Sequence, residues 1–269
     1  MKIYLLAIDL DGTLLNSDKQ ISAATLVALD QARVELGVRI VLATARPPRS
    51  TLPFHRQLAL DTPLINYNGA LVYCPASGRI LMHRPISLKI SRGIIAAARA
   101  ACPDILVSAE ILDRWYTDRV DDAYMTETGK LVKPDVIAPL EQWLTQSVTK
   151  LLLLGDPRRL GELARLIAER FTHQVTIVQT DEYLLQIMDA TVSKAQGLRV
   201  VAAELGVSRE QVMAIGDNSN DVGMLQWAGQ SVAMSNGTME AMSAADWITD
   251  DNDSDGVANA VRKAILSGE

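Results

Sequence analysis

A short apolar run, Ile3 to Ile8, rich in branched side chains and too brief for a helix, ends abruptly in Asp9-Leu10-Asp11-Gly12. Such a run reads as a buried strand. Alternate residues of a strand share a side, so Asp9 and Asp11 can project together from its carboxyl end. Two carboxylates so placed repel unless a cation, a shared proton or donor groups compensate. A solvated turn also uses Asp and Gly, so the rest of the chain must discriminate.

The segment SAATLVALDQARVELG carries apolar residues at helical spacing and reaches Gly37, a plausible stop, before VRIVLATAR forms a second apolar run. Strand, helix, strand in that order calls for a parallel pair with a right-handed crossover, the unit of a doubly wound α/β sheet. Its carboxyl edge, where ligands of such sheets usually sit, then gathers Asp9, Asp11, Thr44 and Arg46.

Alternation resumes near the other end: KAQGLRVVAAELG as helix, QVMAIGD as strand, DVGMLQWAG as helix, SVAM and ADWIT as strands, GVANAVRKAIL as a final helix. Between lie elements of another kind. Short strands surround the turn pairs Asn68-Gly69 and Ser77-Gly78; SLKISRGIIAAARAAC and PRRLGELARLIAERF read as helices; DILVSAE, RWYTDR, VTKLLLLG, QVTIVQT and YLLQIM read as strands; DDAYMTETGK could form a short helix. PLEQW reads as a connection. The expected organisation is a discontinuous core, residues 1–82 and 188–269, with an α+β module inserted at 83–187. A length of 269 residues suits one domain with a large insertion, or two.

Aromatic residues are only 4% of the chain against 48% hydrophobic, so the core must rest on Leu, Ile, Val and Ala. A net charge of -6 without a long basic run argues against a nucleic-acid partner, and an anionic substrate must meet local positive charge. Cys74 and Cys102 form no CxxC pair and read as reduced thiols; His55, His83 and His173 have no metal-site spacing. Too few apolar residues precede Asp9 for a leader or a membrane span, so the expectation is a cytoplasmic protein with no membrane partner.

A second acidic strand end occurs at VMAIGDNSNDVGML. If its strand neighbours the first, Asp9, Asp11, Asp217 and Asp221 meet at one edge, and a hard divalent cation such as Mg2+ is an economical way to hold them. Thr44, closing its strand, could donate to a phosphate oxygen, and Lys194 opens a helix in TVSKAQGL; alone, each is an ordinary strand or surface residue. Their order along one chain carries the specificity.

In DLDGTLLNSD, VLATAR, YNGALV, VSKAQGL, GDNSNDVGML and the stretch from VAMSNGTMEAM to DNDSDGVA, the sequence resembles the haloacid dehalogenase superfamily, and within it the Cof-like phosphatases. The resemblance spans nearly the whole chain. It implies Asp9 as nucleophile, Asp11 as acid/base, Thr44 and Lys194 as phosphoryl-holding groups, and Asp217 as a metal ligand supported by Asp221. Metal binding would fall to Asp9, Asp11 through its backbone carbonyl, and Asp217; substrate binding would involve Leu10, Thr44, Ala45, Arg46, Lys194 and Asn220. It implies a Mg2+-dependent phosphomonoesterase that uses an aspartyl-phosphate on small phosphorylated metabolites, sugar phosphates or phosphorylated cofactors, with the insert as a substrate-reading cap. Glu110, Arg114, Tyr116 and Asp118 are cap candidates because polar and aromatic residues cluster on its strands.

Alternatives are a phosphomutase or phosphoryl transferase of the same superfamily, and a non-catalytic phosphometabolite-binding regulator, which would be expected to have lost Asp9, Asp11 or Lys194. A signalling receiver would leave the insert and GDNSND unexplained. Ala45 and Ala195 stand where the family usually has glycine, each expected to add a methyl near the phosphate pocket; MSNG replaces a commoner loop.

Overall fold

The computed structural model describes residues 2–124 and 132–267. The chain divides into two compact units, Met1–Met82 with Ser193–Glu269, and His83–Val192.

In the first unit five strands form a parallel sheet in the order Trp247–Thr249, Gln230–Met234, Val212–Gly216, Leu5–Ile8, Arg39–Leu42. Every residue of Leu5–Ile8 is buried, as expected of a central strand covered on both faces. Alternation then sorts the side chains. Leu6, Ile8, Ile40, Leu42, Met213 and Ile215 pack with the helices Ala23–Val34 and Gly256–Val261. Leu5, Ala7, Val41, Val212 and Ala214 pack with Lys194–Leu205, Val222–Trp227 and Met239–Ala244 on the opposite face. The sheet is doubly wound.

Local chemistry sets the helix ends. Ser22 and Ser193 accept hydrogen bonds from the Thr25 and Gln196 amides, and Gly206 ends the helix after Lys194 with φ of 66°. An additional helix, Pro48–Gln57, falls in a stretch whose prolines mask its period. Pro48 sits at its start, where no N–H partner is lost, and Pro53 lies within it. Leu64–Asn66, Leu71–Tyr73 and Ile80–His83 form a small separate sheet, the first two antiparallel around a tight turn at Tyr67–Gly69. A bridge between Ala43 and Ile65 links it to the end of the second parallel strand.

The second unit holds a six-stranded sheet in the order Val175–Asp181, Leu184–Asp189, Lys150–Leu154, Leu106–Ile111, Arg114–Thr117, Val136–Ile137. The return to the core expected after residue 187 falls inside a strand, which runs on to Asp189. Val107, Ala109, Leu151, Leu153, Leu185 and Ile187 pack against the helices Leu88–Ala101 and Pro157–Arg170. The other face carries a smaller cluster, Leu106, Leu152, Leu154 and Leu184, together with buried Ser108, Glu110 and Lys150. PLEQW is one helical turn, Leu140–Trp143, with Trp143 buried rather than a plain connection. DDAYMTETGK shows a 3-10 turn at Asp122–Tyr124; its continuation lies outside the described residues. Among the described residues no helix is long and apolar enough to cross a membrane.

Candidate active site

Leu5–Ile8 and Val212–Gly216 are in parallel register, Ile8 beside Ile215, and the Asp9 amide donates to the Ile215 carbonyl. The residues following the two strands therefore meet. Asp9, Asp217 and Asp221 are buried and each offers a carboxylate oxygen within 4.8 Å of the others. Lys194 joins them from the start of its helix. Its Nζ lies 2.5 Å from Asp9 Oδ1 and 2.6 Å from Asp221 Oδ1, with its side chain 0% exposed.

Electrostatics at this edge are severe. Burial raises Asp9 well above the usual carboxylate range; Lys194 opposes this, while Asp221 and Asp217 add to it. Asp217 is also raised by burial, partly offset by the Thr13 hydroxyl that donates to its Oδ1 at 2.8 Å. Burial works against the Lys194 ammonium, but Asp221 and Asp9 outweigh it and raise that group. Asp221 is held most completely: its second oxygen accepts the Asp217 and Asn218 amides at 3.1 and 3.0 Å. It is built to orient Lys194. Without a cation, Asp9 and Asp217 hold negative charge only at a cost, and a hard oxygen-seeking ion would relieve it. These residues fit a divalent cation.

At Asp11 neighbouring cations outweigh burial. Burial alone would raise it, but the Arg46 fork donates to both its oxygens, at 2.7 and 2.5 Å, and Lys19 donates at 3.1 Å. The net effect holds Asp11 below the usual carboxylate range, in its basic form. Gly12 follows with φ of 80°; a Cβ there would sit 2.5 Å from Asp217 Oδ2, so the turn admits glycine on both counts. Buried Leu10 contributes its carbonyl, which accepts the Thr13 and Leu15 amides and closes the same turn.

Thr44 lies two residues past the second strand, buried, its hydroxyl accepting the Arg46 amide at 3.1 Å and keeping its own proton to donate. Ala45 is partly exposed. Ala195 packs within the apolar cluster of Leu5, Ala7 and Leu198, so its methyl belongs to the core and not to a phosphate pocket. Exposed Asn220 donates to Asn68 Oδ1 at 2.9 Å. Asn236, from the MSNG loop, donates to the Gly12 carbonyl at 2.9 Å, a contact no sequence pattern signalled. Thr13 was equally unmarked.

The four cap candidates do not share a face. Register places Glu110 opposite Trp115 and Tyr116 opposite Ala109. Tyr116 stacks at 5.7 Å on Trp143 in the helix-side core, and Arg114 lies over Tyr116. The Asp118 carboxylate is a buried anchor for the Val107 amide and Arg99. Of the four, Glu110 is buried on the face away from the helices, alongside Lys150 and Gln186, with Lys150 Nζ 3.3 Å from Gln186 Oε1. His55 is buried against the Thr62 carbonyl, and His83 pairs with the Thr149 hydroxyl. Neither joins a metal cluster among the described residues.

Comparison with known proteins bears on this geometry. The family model of haloacid dehalogenase-like hydrolases matches residues 6–261. The 5-amino-6-(5-phospho-D-ribitylamino)uracil phosphatase YitU of Bacillus subtilis is 31% identical, over 97% of each chain. A haloacid dehalogenase-like hydrolase from Bacteroides thetaiotaomicron superposes with a TM-score of 0.87 at 29% identity, covering 97% of this chain and 99% of that one. TM0651 from Thermotoga maritima superposes with a TM-score of 0.86 at 28% identity, covering 97% of each chain. Fold, acidic site and relatives together define a hydrolase of the phosphatase class. The chain belongs to the haloacid dehalogenase-like hydrolase family.

Proposed function

We propose that this chain hydrolyses small phosphorylated metabolites, sugar phosphates or phosphorylated cofactors, through a phosphoryl group carried on Asp9. The observation that carries the reading is the buried triad of Asp9, Lys194 and Asp221, with Asp217 beside it. Only a strong functional demand keeps so many charges out of water.

The Asp9 carboxylate attacks phosphorus, forming an acyl phosphate on Asp9 as the bond to the substrate oxygen breaks. Arg46 couples leaving-group protonation to the substrate: an anionic ester competes for its guanidinium, and Asp11, freed from the fork, takes up from solvent the proton that it then gives to the leaving oxygen. Asp11 then takes a proton from water, whose oxygen attacks phosphorus and releases Asp9 and inorganic phosphate. Lys194 and the Thr44 hydroxyl hold the phosphoryl oxygens, preorganised because burial has already removed their water. When bound by Asp9, Asp217 and the Asp11 carbonyl, Mg2+ would supply the neutralising charge that lets two anions approach.

Selection of the leaving group is assigned to the inserted unit, whose sheet presents Ser108, Glu110, Lys150 and Gln186 on one face. Polar hydrogen-bonding groups suit a hydroxylated leaving group, in keeping with the phosphoribitylamino substrate in the name of the Bacillus subtilis relative.

The test is phosphate release from a panel of phosphomonoesters, including an aryl phosphate, with Mg2+, with EDTA and in Asp9→Asn. Release should require the metal and vanish in the variant while folding is retained. Undiminished release by the variant removes Asp9 from its role; transfer to an added alcohol in place of water favours a phosphoryl transferase.

A further inference from the structure

Three consecutive residues beside the site, Tyr67, Asn68 and Gly69, have positive φ: 51°, 56° and 99°. Only Gly69 adopts this region freely; for buried Tyr67 it is disfavoured outright, and Asn tolerates it better than most. A strained turn persists when its surroundings over-determine it. Here they do. The Tyr67 and Asn68 amides donate to the Arg46 and Thr44 carbonyls at 3.3 and 2.9 Å, and the Asn66 side chain donates to the same Arg46 carbonyl at 3.0 Å. On its other side the turn presses on the Lys194 helix, since a Cβ at Gly69 would collide with the Ser193 carbonyl. From the middle of the turn the Asn68 side chain accepts the Asn220 amide. One turn thus touches the segments bearing Thr44, Arg46, Lys194 and Asn220.

We propose that Asn68 is a positioning residue of the phosphoryl site, its side-chain oxygen fixing the Asn220 amide while its left-handed backbone spaces Thr44 and Arg46 from Lys194. The inference rests on the phosphatase reading and extends it to a residue that makes no claim on the substrate itself. Relaxing the turn with glycine would keep the backbone and remove only the amide link. Without Asn68, the exposed Asn220 must be ordered anew at each binding event, which weakens phosphate binding equally in ground and transition states.

The experiment is a double-mutant cycle with Asn68→Gly and Asn220→Ala, read as KM and kcat for an aryl phosphate with Mg2+, as orthophosphate affinity by calorimetry, and as thermal midpoint. Asn68→Gly should raise KM and the phosphate dissociation constant about three- to tenfold, the worth of one hydrogen bond, with kcat nearly unchanged and the midpoint equal to wild type or higher. In the Asn220→Ala background the same change should have almost no further effect. Multiplying effects, an unchanged KM, or a loss that merely follows a lowered midpoint would each overturn the proposal. If wild type binds orthophosphate but hydrolyses nothing, the phosphatase reading falls and the cycle is decided by affinity; if it neither binds nor hydrolyses, both readings fall.

Discussion

Replacing Lys194 by Met keeps an unbranched chain of similar length in the same buried slot and removes one charge. Asp9 and Asp221, each within 2.6 Å of the ammonium, then face each other and Asp217 without a counter-ion. Breaking a buried ion pair in this way costs about 3–5 kcal/mol. The site has an escape, because one carboxyl can accept a proton, and that escape caps the loss. Protonating an aspartate whose unfolded pKa is about 3.9 costs about 4 kcal/mol at pH 7 but only about 1.5 kcal/mol at pH 5. The folded variant holds a proton that the unfolded chain has released, so its stability falls as pH rises above about 4. In EDTA at pH 7 the thermal midpoint of the core transition should drop by roughly 10 °C, and the gap to wild type should shrink by more than half at pH 5. Adding Asp221→Asn should recover most of the loss, and millimolar Mg2+ should narrow it. The assay is thermal unfolding by circular dichroism at the two pH values. A variant within ~2 °C of wild type at pH 7, or a gap that ignores pH, would refute the view that these charges are mutually dependent.

Gly12→Ala combines a disfavoured positive φ with a clash against Asp217 Oδ2 and should lower stability by about 2–3 kcal/mol while raising the Mg2+ concentration for half-maximal activity. Wild-type stability together with an unchanged Mg2+ requirement would show that Gly12 spaces nothing. Burial lowers the pKa of His55, so the unfolded chain takes up a proton first, and the stability this residue contributes is full above about pH 6.5 and lost as pH falls through the folded value. His55→Gln should therefore flatten the urea midpoint against pH on the acid side of 6.5; parallel profiles would exclude the effect.

The expected helix in VSKAQGL and the strand before Asp9 were legible because helix caps and two-residue alternation act within a few residues. The helix Pro48–Gln57 was not, since its prolines read as breakers until Pro48 is seen at the helix start. Which side chains share a face of the insert's sheet was not legible for a related reason. Trp115 and Tyr116 are adjacent and similar, and only pairing with Glu110 and Ala109 decides that Tyr116 turns into the helix-side core.

Local sequence determined that Asp9 and Asp11 end a buried strand, that Asp217 ends another, and that Lys194 opens a helix capped by Ser193. Those properties depend on neighbours within one or two turns of chain. Tertiary structure alone decided that the two strands lie side by side in register, that Lys194 reaches between Asp9 and Asp221, and that Arg46 holds Asp11 in its basic form. Their partners lie far apart in sequence. A charge's protonation and role are set by what burial brings within a few ångströms, which only the folded chain specifies.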